Sequence, residues 1–407
     1  MRGPSPLRTI VTKPEAGDSR MRTGLGSTVG AMAAIVLGLA LLPATRAAAQ
    51  AQPTIKVGVV LSTSGAAAVF GIPERDAIVV AADHVNAAGG VNGRRIELIH
   101  YDDKTNPTEA ARGVTQLASG SGVVAIIGPG TGGGALAAGP VAERLKVPLL
   151  VPAGTIAVTD RKNSFFPWVF RVGVNDLVTV RGILADIVKN NGRRVGVFYQ
   201  EDAYGKAGAE YAATLSKELG FEVVESVSAP YNATDVSAQV TRLRNARVDA
   251  VFTQVAISAL GAAYVKAADQ VGLKVPTYGG SGLVQKSFLD AVGKAGDGMR
   301  VTSIGNLAHD PTPGEAAFAQ ILKKAGKTPS GWMELIGSNG LMTVVAAARA
   351  VKGEPTGSSM RDAIETLCDF EIHTRGRACF SAENHDGFGE SSLVITEIRD
   401  GAFRTRK

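Results

Sequence analysis

The chain has 407 residues and a formal net charge of +6, yet residues 50–407 carry 37 Lys and Arg against 35 Asp and Glu, so the excess sits at the start. A near-neutral chain of this length has room for two domains, and with no basic run interleaved with aromatics it is not expected to bind nucleic acid. Beyond residue 50 no apolar run approaches the ~20 residues of a membrane span.

The first 49 residues read as a secretory signal. Met21-Arg22 opens a short basic region, 29–42 is apolar, and Ala47-Ala48-Ala49 supplies small residues for signal peptidase. Met21 is a candidate start, since 1–20 does not resemble the beginning of such a signal. Cleavage near Ala49 and a periplasmic location are expected; the alternative is an uncleaved anchor. No cysteine stands directly after the cleavage point, which disfavours a lipoprotein anchor.

Val57-Gly58-Val59-Val60 reads as a buried strand. A polar loop follows, then a helix opening near Pro73, with Glu74 and Asp76 in its first turn, and closing at Gly89-Gly90. A strand at 95–101, a helix from Pro107, a strand at 123–127, a helix at 135–145 and a strand at 147–151 complete the first series. From Val195 the order restarts: a strand, the loop 201–205, a helix ending at Gly220, a strand at 222–227, a helix at 235–244, a strand at 250–253 and a helix at 259–271. Leu145-Lys146-Val147-Pro148 matches Leu273-Lys274-Val275-Pro276, and each precedes a strand that ends in a glycine-bearing loop. Alternating strands and helices imply parallel sheets covered on both faces. The fold class is therefore α/β, with two doubly wound parallel-sheet lobes.

Cys368 and Cys379 flank a turn-like segment, 373–377. In an oxidising compartment they are expected to form a structural disulfide; two buried thiols are the alternative. In doubly wound sheets ligands bind beyond the carboxyl ends of the strands. That places the loops 62–70, 128–134 and 152–156 of one lobe, and 201–205, 254–258 and 279–282 of the other, around a shared cleft. Small residues there admit close backbone approach, and helix N-termini favour an anion.

Several runs now carry a resemblance. They are Ile55-Lys56-Val57-Gly58-Val59 with Ser64-Gly65, Asn86 through Arg94, Tyr101-Asp102-Asp103 with Asn106-Pro107, Ile127-Gly128-Pro129, and Asp202-Ala203-Tyr204-Gly205. Over almost all of 54–407 the chain resembles the periplasmic binding proteins of ABC importers, specifically the branched-chain amino acid binding group. The resemblance implies a type I fold with hinge crossings near 173, 305 and 376. It also implies an N-terminal lobe of 54–172 plus 306–375, a C-terminal lobe of 173–305 plus 376–407, ligand-triggered closure, and delivery to an ABC permease. A monomer without cofactor, metal or catalytic residues is expected.

Gly128 through Gly133 has the form G-x-G-x-x-G. It follows the third strand rather than the first, and no acid ends a strand about 20 residues on, so a ligand loop is the better reading than a dinucleotide site. The five histidines stand at no metal-ligand spacing. No G-x-S-x-G elbow occurs.

The resemblance also assigns a pocket. Thr155 and the backbone at Ala153 align with the carboxylate anchor of the amino acid binders, and Thr131 and Gly132 lie in the second anchoring loop, where a serine is usual at Gly132. Tyr204 is kept, and Phe70 stands where a tyrosine is frequent. Ser281 replaces the acid that meets the ammonium, and Ala256 replaces an aromatic. A buried ammonium without a counter-charge costs several kcal/mol. The expected ligand is therefore an aromatic or aliphatic carboxylic acid lacking an amine. The alternatives are an amino acid held through rearranged contacts, with Asp202 or Glu334 reaching in, a ligand-sensing receptor module, and an enzyme with an unrecognised site.

Overall fold

The computed structural model describes residues 54–406; the expected signal segment and its cleavage near Ala49 lie outside the described residues. The first series is β1 (Thr54–Leu61), α1 (Ala68–Ala87), β2 (Arg95–Asp102), α2 (Pro107–Gly120), β3 (Ala125–Ile127), α3 (Gly132–Leu145), β4 (Leu149–Val151) and β5 (Val169–Val174). The second is α4 (Asp176–Lys189), β6 (Arg194–Gln200), α5 (Ala203–Leu219), β7 (Glu222–Ala229), α6 (Ser237–Asn245), β8 (Ala250–Gln254), α7 (Ser258–Gln270), β9 (Thr277–Gly279), α8 (Lys286–Val292) and β10 (Arg300–Ile304). The chain continues through α9 (Pro313–Lys324), α10 (Trp332–Ala350), α11 (Gly357–Ile364), β11 (Asp386–Phe388), β12 (Leu393–Arg399) and β13 (Ala402–Thr405).

The first sheet has the order β11-β5-β4-β3-β1-β2 and the second β13-β12-β10-β9-β8-β6-β7. Within them β2-β1-β3-β4-β5 and β7-β6-β8-β9-β10 are the same parallel winding. Antiparallel pairing enters with β12 against β10 and β13. Every residue of β3, β4, β5 and β8 is buried, as expected of central strands covered on both faces. The helices end where local chemistry ends them. Asn106 caps α2 by accepting from the Thr108 and Glu109 amides, with Pro107 following, and α5 closes on Gly220 in the left-handed region at φ 77°.

Helix α1 starts earlier than its proline suggests. It opens at Ala68, and Pro73 lies inside it. The missing N–H leaves a carbonyl near Val69 without its helical donor, and Val69 is 47% exposed, so solvent can serve it.

The chain passes between the sheets after β5, after β10 and after β11. The third passage corrects the expectation of a crossing near 376. Segment 376–388 stays with the first sheet because β11 pairs with β5, Asp386 opposite Arg171, and the crossing follows at 389–392. Among the described residues, no helix is long and apolar enough to cross a membrane.

Cys368 and Cys379 form a disulfide. It staples a hairpin in which the Asp369 amide donates to Ala378 O at 2.9 Å and the Phe380 amide to Leu367 O at 2.8 Å. Phe380 then packs on Phe170 and Phe388 in the first lobe's core. Closing a loop of separation 11 contributes about 2–3 kcal/mol through the unfolded chain. The double variant Cys368→Ala/Cys379→Ala should lose that much in denaturant melts and keep its ligand affinity within threefold, since neither cysteine lines the cavity below.

Candidate functional site

The carboxyl ends of the parallel strands in both lobes enclose a cavity of about 410 Å³. Of the residues singled out from sequence, Phe70, Thr131, Gly132, Ala153, Thr155, Asp202, Tyr204, Ala256 and Ser281 all line it. Glu334 does not, which corrects its candidacy. Its carboxylate caps the start of α10, accepting from the amides of Ser330 and Gly331 at 3.0 Å each and from the Ser330 hydroxyl. Both of its oxygens are engaged at its own helix end.

Two first-lobe loops meet in the cavity. Thr131 caps α3 by accepting from the Gly134 amide at 3.2 Å, leaving the first-turn amides of Gly132 and Gly133 without helical partners. Thr155 faces that turn closely: a Cβ on Gly132 would stand 2.1 Å from Thr155 Oγ1. In this chain a side chain at 132 would occupy the space of the threonine hydroxyl, so the glycine leaves that hydroxyl its place. A hydroxyl and helix-N-terminal amides converging on one place form an anion-binding arrangement.

Arg171, fully buried on β5, sets the second loop. Its guanidinium donates to Ala153 O, to Thr155 O at 2.9 Å, to Thr159 Oγ1 at 2.8 Å and to Asp386 Oδ1 at 2.8 Å. Burial alone would raise the Asp386 carboxyl, but Arg171, Thr159 and Asn175 outweigh it and hold the group below its usual range.

Three carboxyl groups and no cationic side chain line the cavity: Glu74, Asp176 and Asp202. Sequence reasoning missed the first two. Asp176 opens α4 just past the first crossing. Its amide donates to Gly154 O at 2.9 Å, and its Oδ1 lies 2.2 Å from where a Cβ on Gly154 would stand. Burial pushes the Asp176 carboxyl up to about 6, against the pull of Arg171. The residue keeps some accessible surface through the cavity mouth, although protein surrounds the carboxyl. Burial, then the charges of Asp103 and Glu334, holds Glu74 well above the carboxylate range. Asp202 is occupied as the α5 cap, accepting from the Gly205 amide at 2.9 Å and from the Gln200 side chain.

The second-lobe loops are fastened by glutamines that sequence reasoning also missed. Gln200 Oε1 accepts from the Ala256 amide at 2.8 Å, and Gln285 Nε2 donates to Ala256 O at 3.0 Å and to Gly282 O at 2.5 Å. Tyr204 packs its hydroxyl against Gly280 and Gly282, and burial raises that hydroxyl's pKa. Outside the cavity, His385 stacks on Phe166 and Phe170 at 4.0 Å, and His373 stacks on Phe318 at 4.5 Å and bonds Ser338. Burial holds each down to about 4, which leaves both as neutral packing groups at neutral pH. Among the described residues, no cluster of His, Cys, Asp or Glu is placed to hold a metal.

A folded pKa raised above the unfolded value means that ionised Asp176 destabilises the fold. The penalty is full above pH 6 and gone below about 4, where both states are protonated. Asp176→Asn should therefore stabilise the ligand-free protein at pH 8 by about 1–2 kcal/mol. That is less than the full two-unit value because the carboxyl keeps some water access. Melts at pH 8, 6 and 4 should show the gain shrinking step by step.

Comparisons with known proteins agree with this geometry. The family model for periplasmic binding protein matches residues 54–402. The Leu/Ile/Val-binding protein homolog 7 of Brucella abortus is 29% identical over 335 residues, covering 78% of this chain and 82% of the relative. An extracellular ligand-binding receptor from Rhodopseudomonas palustris superposes with a TM-score of 0.76 at 26% identity, over 87% of this chain and 100% of that one. A periplasmic binding protein type 1 from Bordetella pertussis gives 0.74 at 25% identity, over 87% and 99%. The substrate-binding protein LivJ of Streptococcus pneumoniae, solved with isoleucine, gives 0.73 at 24% identity over 87% and 99%, a likeness of fold.

Proposed function

Because this chain belongs to the periplasmic binding protein family, we propose that it is the exported solute-binding component of an ABC importer. In this reading it captures an α-amino acid between its lobes, hands it to a membrane permease on opening, and catalyses nothing. The observation that carries the ligand class is the carboxyl of Asp176 beside the Gly154–Thr155 loop.

The case for an acid without an amine rested on Ser281 and Ala256, which supply neither charge nor ring. Asp176 supplies the charge from another element. A ligand ammonium placed against it gains a counter-ion, and the carboxyl, poised near 6, ionises more readily once the cation arrives. The ligand carboxylate goes to the Gly132 and Gly133 amides and the Thr155 hydroxyl. Separate poles of opposite preference suit a zwitterion. A monoanion alone would face three carboxyl groups with no cation lining the cavity. The relatives named for leucine, isoleucine and valine support the amino-acid class.

Calorimetry on pairs that differ only in the α-amino group tests this, for example L-leucine against 4-methylpentanoate and L-phenylalanine against 3-phenylpropanoate. The amine-bearing member should bind at least tenfold more tightly, and Asp176→Asn should erase the difference. Thr155→Val should weaken both members by roughly ten- to a hundredfold through loss of a charge-assisted hydrogen bond. Equal or tighter binding of the amine-free acids would restore the organic-acid reading.

A further inference from the structure

Thr155 follows β4 and Asp176 opens α4, yet the two poles they supply are neighbours across one backbone hydrogen bond. The Asp176 amide donates to Gly154 O at 2.9 Å. Gly154 is what lets the acid come so near. A Cβ at 154 would stand 2.2 Å from Asp176 Oδ1 and 2.9 Å from its Cγ, closer than any Cβ tolerates. A side chain there would drive the carboxyl away from the anchoring loop. Gly154 does not lie in the left-handed region, so what it provides is space for a close approach rather than an unusual conformation. Gly154, Thr155 and Asp176 all line the cavity.

Both sides of this contact are fastened to one carboxylate. Asp386 Oδ1 accepts from Arg171 at 2.8 Å, and the same guanidinium holds the carbonyls of Ala153 and Thr155 on either side of Gly154. Asp386 Oδ2 accepts at 2.7 Å from the side chain of Asn175, the residue before Asp176. Asn175 also caps α4 by accepting from the Val178 amide at 2.9 Å. The anchoring loop and the start of α4 therefore cannot drift apart without breaking charge-assisted bonds.

A zwitterion reads the distance between two such poles. One carbon separates the ammonium from the carboxylate in an α-amino acid, and two separate them in a β-amino acid. An acid pressed against the anchoring loop suits the shorter spacing and leaves one pole of the longer ligand misplaced.

We propose that Gly154 is a specificity-determining residue, which sets the separation of the two poles and so selects α- over β-amino acids. Asn175 and Asp386 are positioning residues that hold this separation. The inference rests on the amino-acid reading above and deepens it.

The test is calorimetry with isomers that differ in where the amine sits, the β isomers taken as both enantiomers. The pairs are L-leucine against β-leucine (3-amino-4-methylpentanoate) and L-phenylalanine against β-phenylalanine (3-amino-3-phenylpropanoate). In at least one pair the wild type should bind the α isomer at least about tenfold more tightly. Gly154→Ala should cut that ratio to about threefold or less, chiefly by weakening the α isomer, while the melting temperature barely moves. Asn175→Ser keeps an oxygen to cap α4 but is too short to reach Asp386. It should narrow the ratio by at least about threefold, a readout that stands even if Gly154→Ala does not fold. A ratio left unchanged in folded Gly154→Ala or in Asn175→Ser would overturn the proposal. So would a wild type that binds both isomers equally and more tightly than the amine-free acids, which would leave the amino-acid reading intact. Leucine and phenylalanine binding no more tightly than 4-methylpentanoate and 3-phenylpropanoate, or not at all, would overturn both.

Discussion

The guanidinium of Arg171 lies wholly inside the protein, on β5, the strand from which the chain first leaves the first lobe. A buried cation is tolerated only when its charge and its donors are matched. Arg171 meets that condition by drawing three parts of the chain to itself. The loop after β4 supplies two carbonyls, β11 supplies Asp386, and Asp386 in turn accepts from Asn175, the cap of α4. The loop that carries Thr155, the first crossing and the strand before the third crossing are thereby held by one charge. Asp176, the residue after that cap, inherits its place in the cavity from the same arrangement.

The site balances opposing electrostatic demands on this frame. The N-terminus of α4 and the nearby Arg171 favour an ionised Asp176, while burial opposes it. Glu74 is pushed the same way with no cation near enough to pull back. The cavity therefore holds acids that are incompletely satisfied in the protein alone, and stability is given up where ligand contacts are made, as functional sites commonly require. Asp176 and Asp202 stand at the starts of α4 and α5 in the second lobe, and the second of them is taken up by its own helix end. The loops of that lobe are fastened by neutral amides, Gln200 and Gln285, and by the Tyr204 ring.

Much of this was legible in the residues. The doubled winding follows from glycine-punctuated alternation of apolar strands and helices, and the loops expected to face the cleft do face it. The rest was hidden for identifiable reasons. Asp176 falls at a crossing, outside the repeated strand-loop-helix pattern that directed attention to other positions. Glu74 was read as an acid of the first turn because Pro73 looks like a helix start, whereas the helix opens at Ala68 and turns Glu74 inward. Glu334 was read as a reserve acid, although its spacing after Gly331 is that of a capping residue. The third crossing was placed too early because the hairpin stapled by Cys368 and Cys379 interrupts the pattern before β11 joins the first sheet.

The contact between Gly132 and Thr155 bears on how firmly the anchoring hydroxyl is placed. With Thr155 Oγ1 2.1 Å from the place of a Cβ at 132, any side chain at that position would require the threonine to shift from where it now stands. The bare backbone at 132 thus leaves the hydroxyl its present position against the first turn of α3, and a residue that contributes no side chain to the pocket sets the address of one that does.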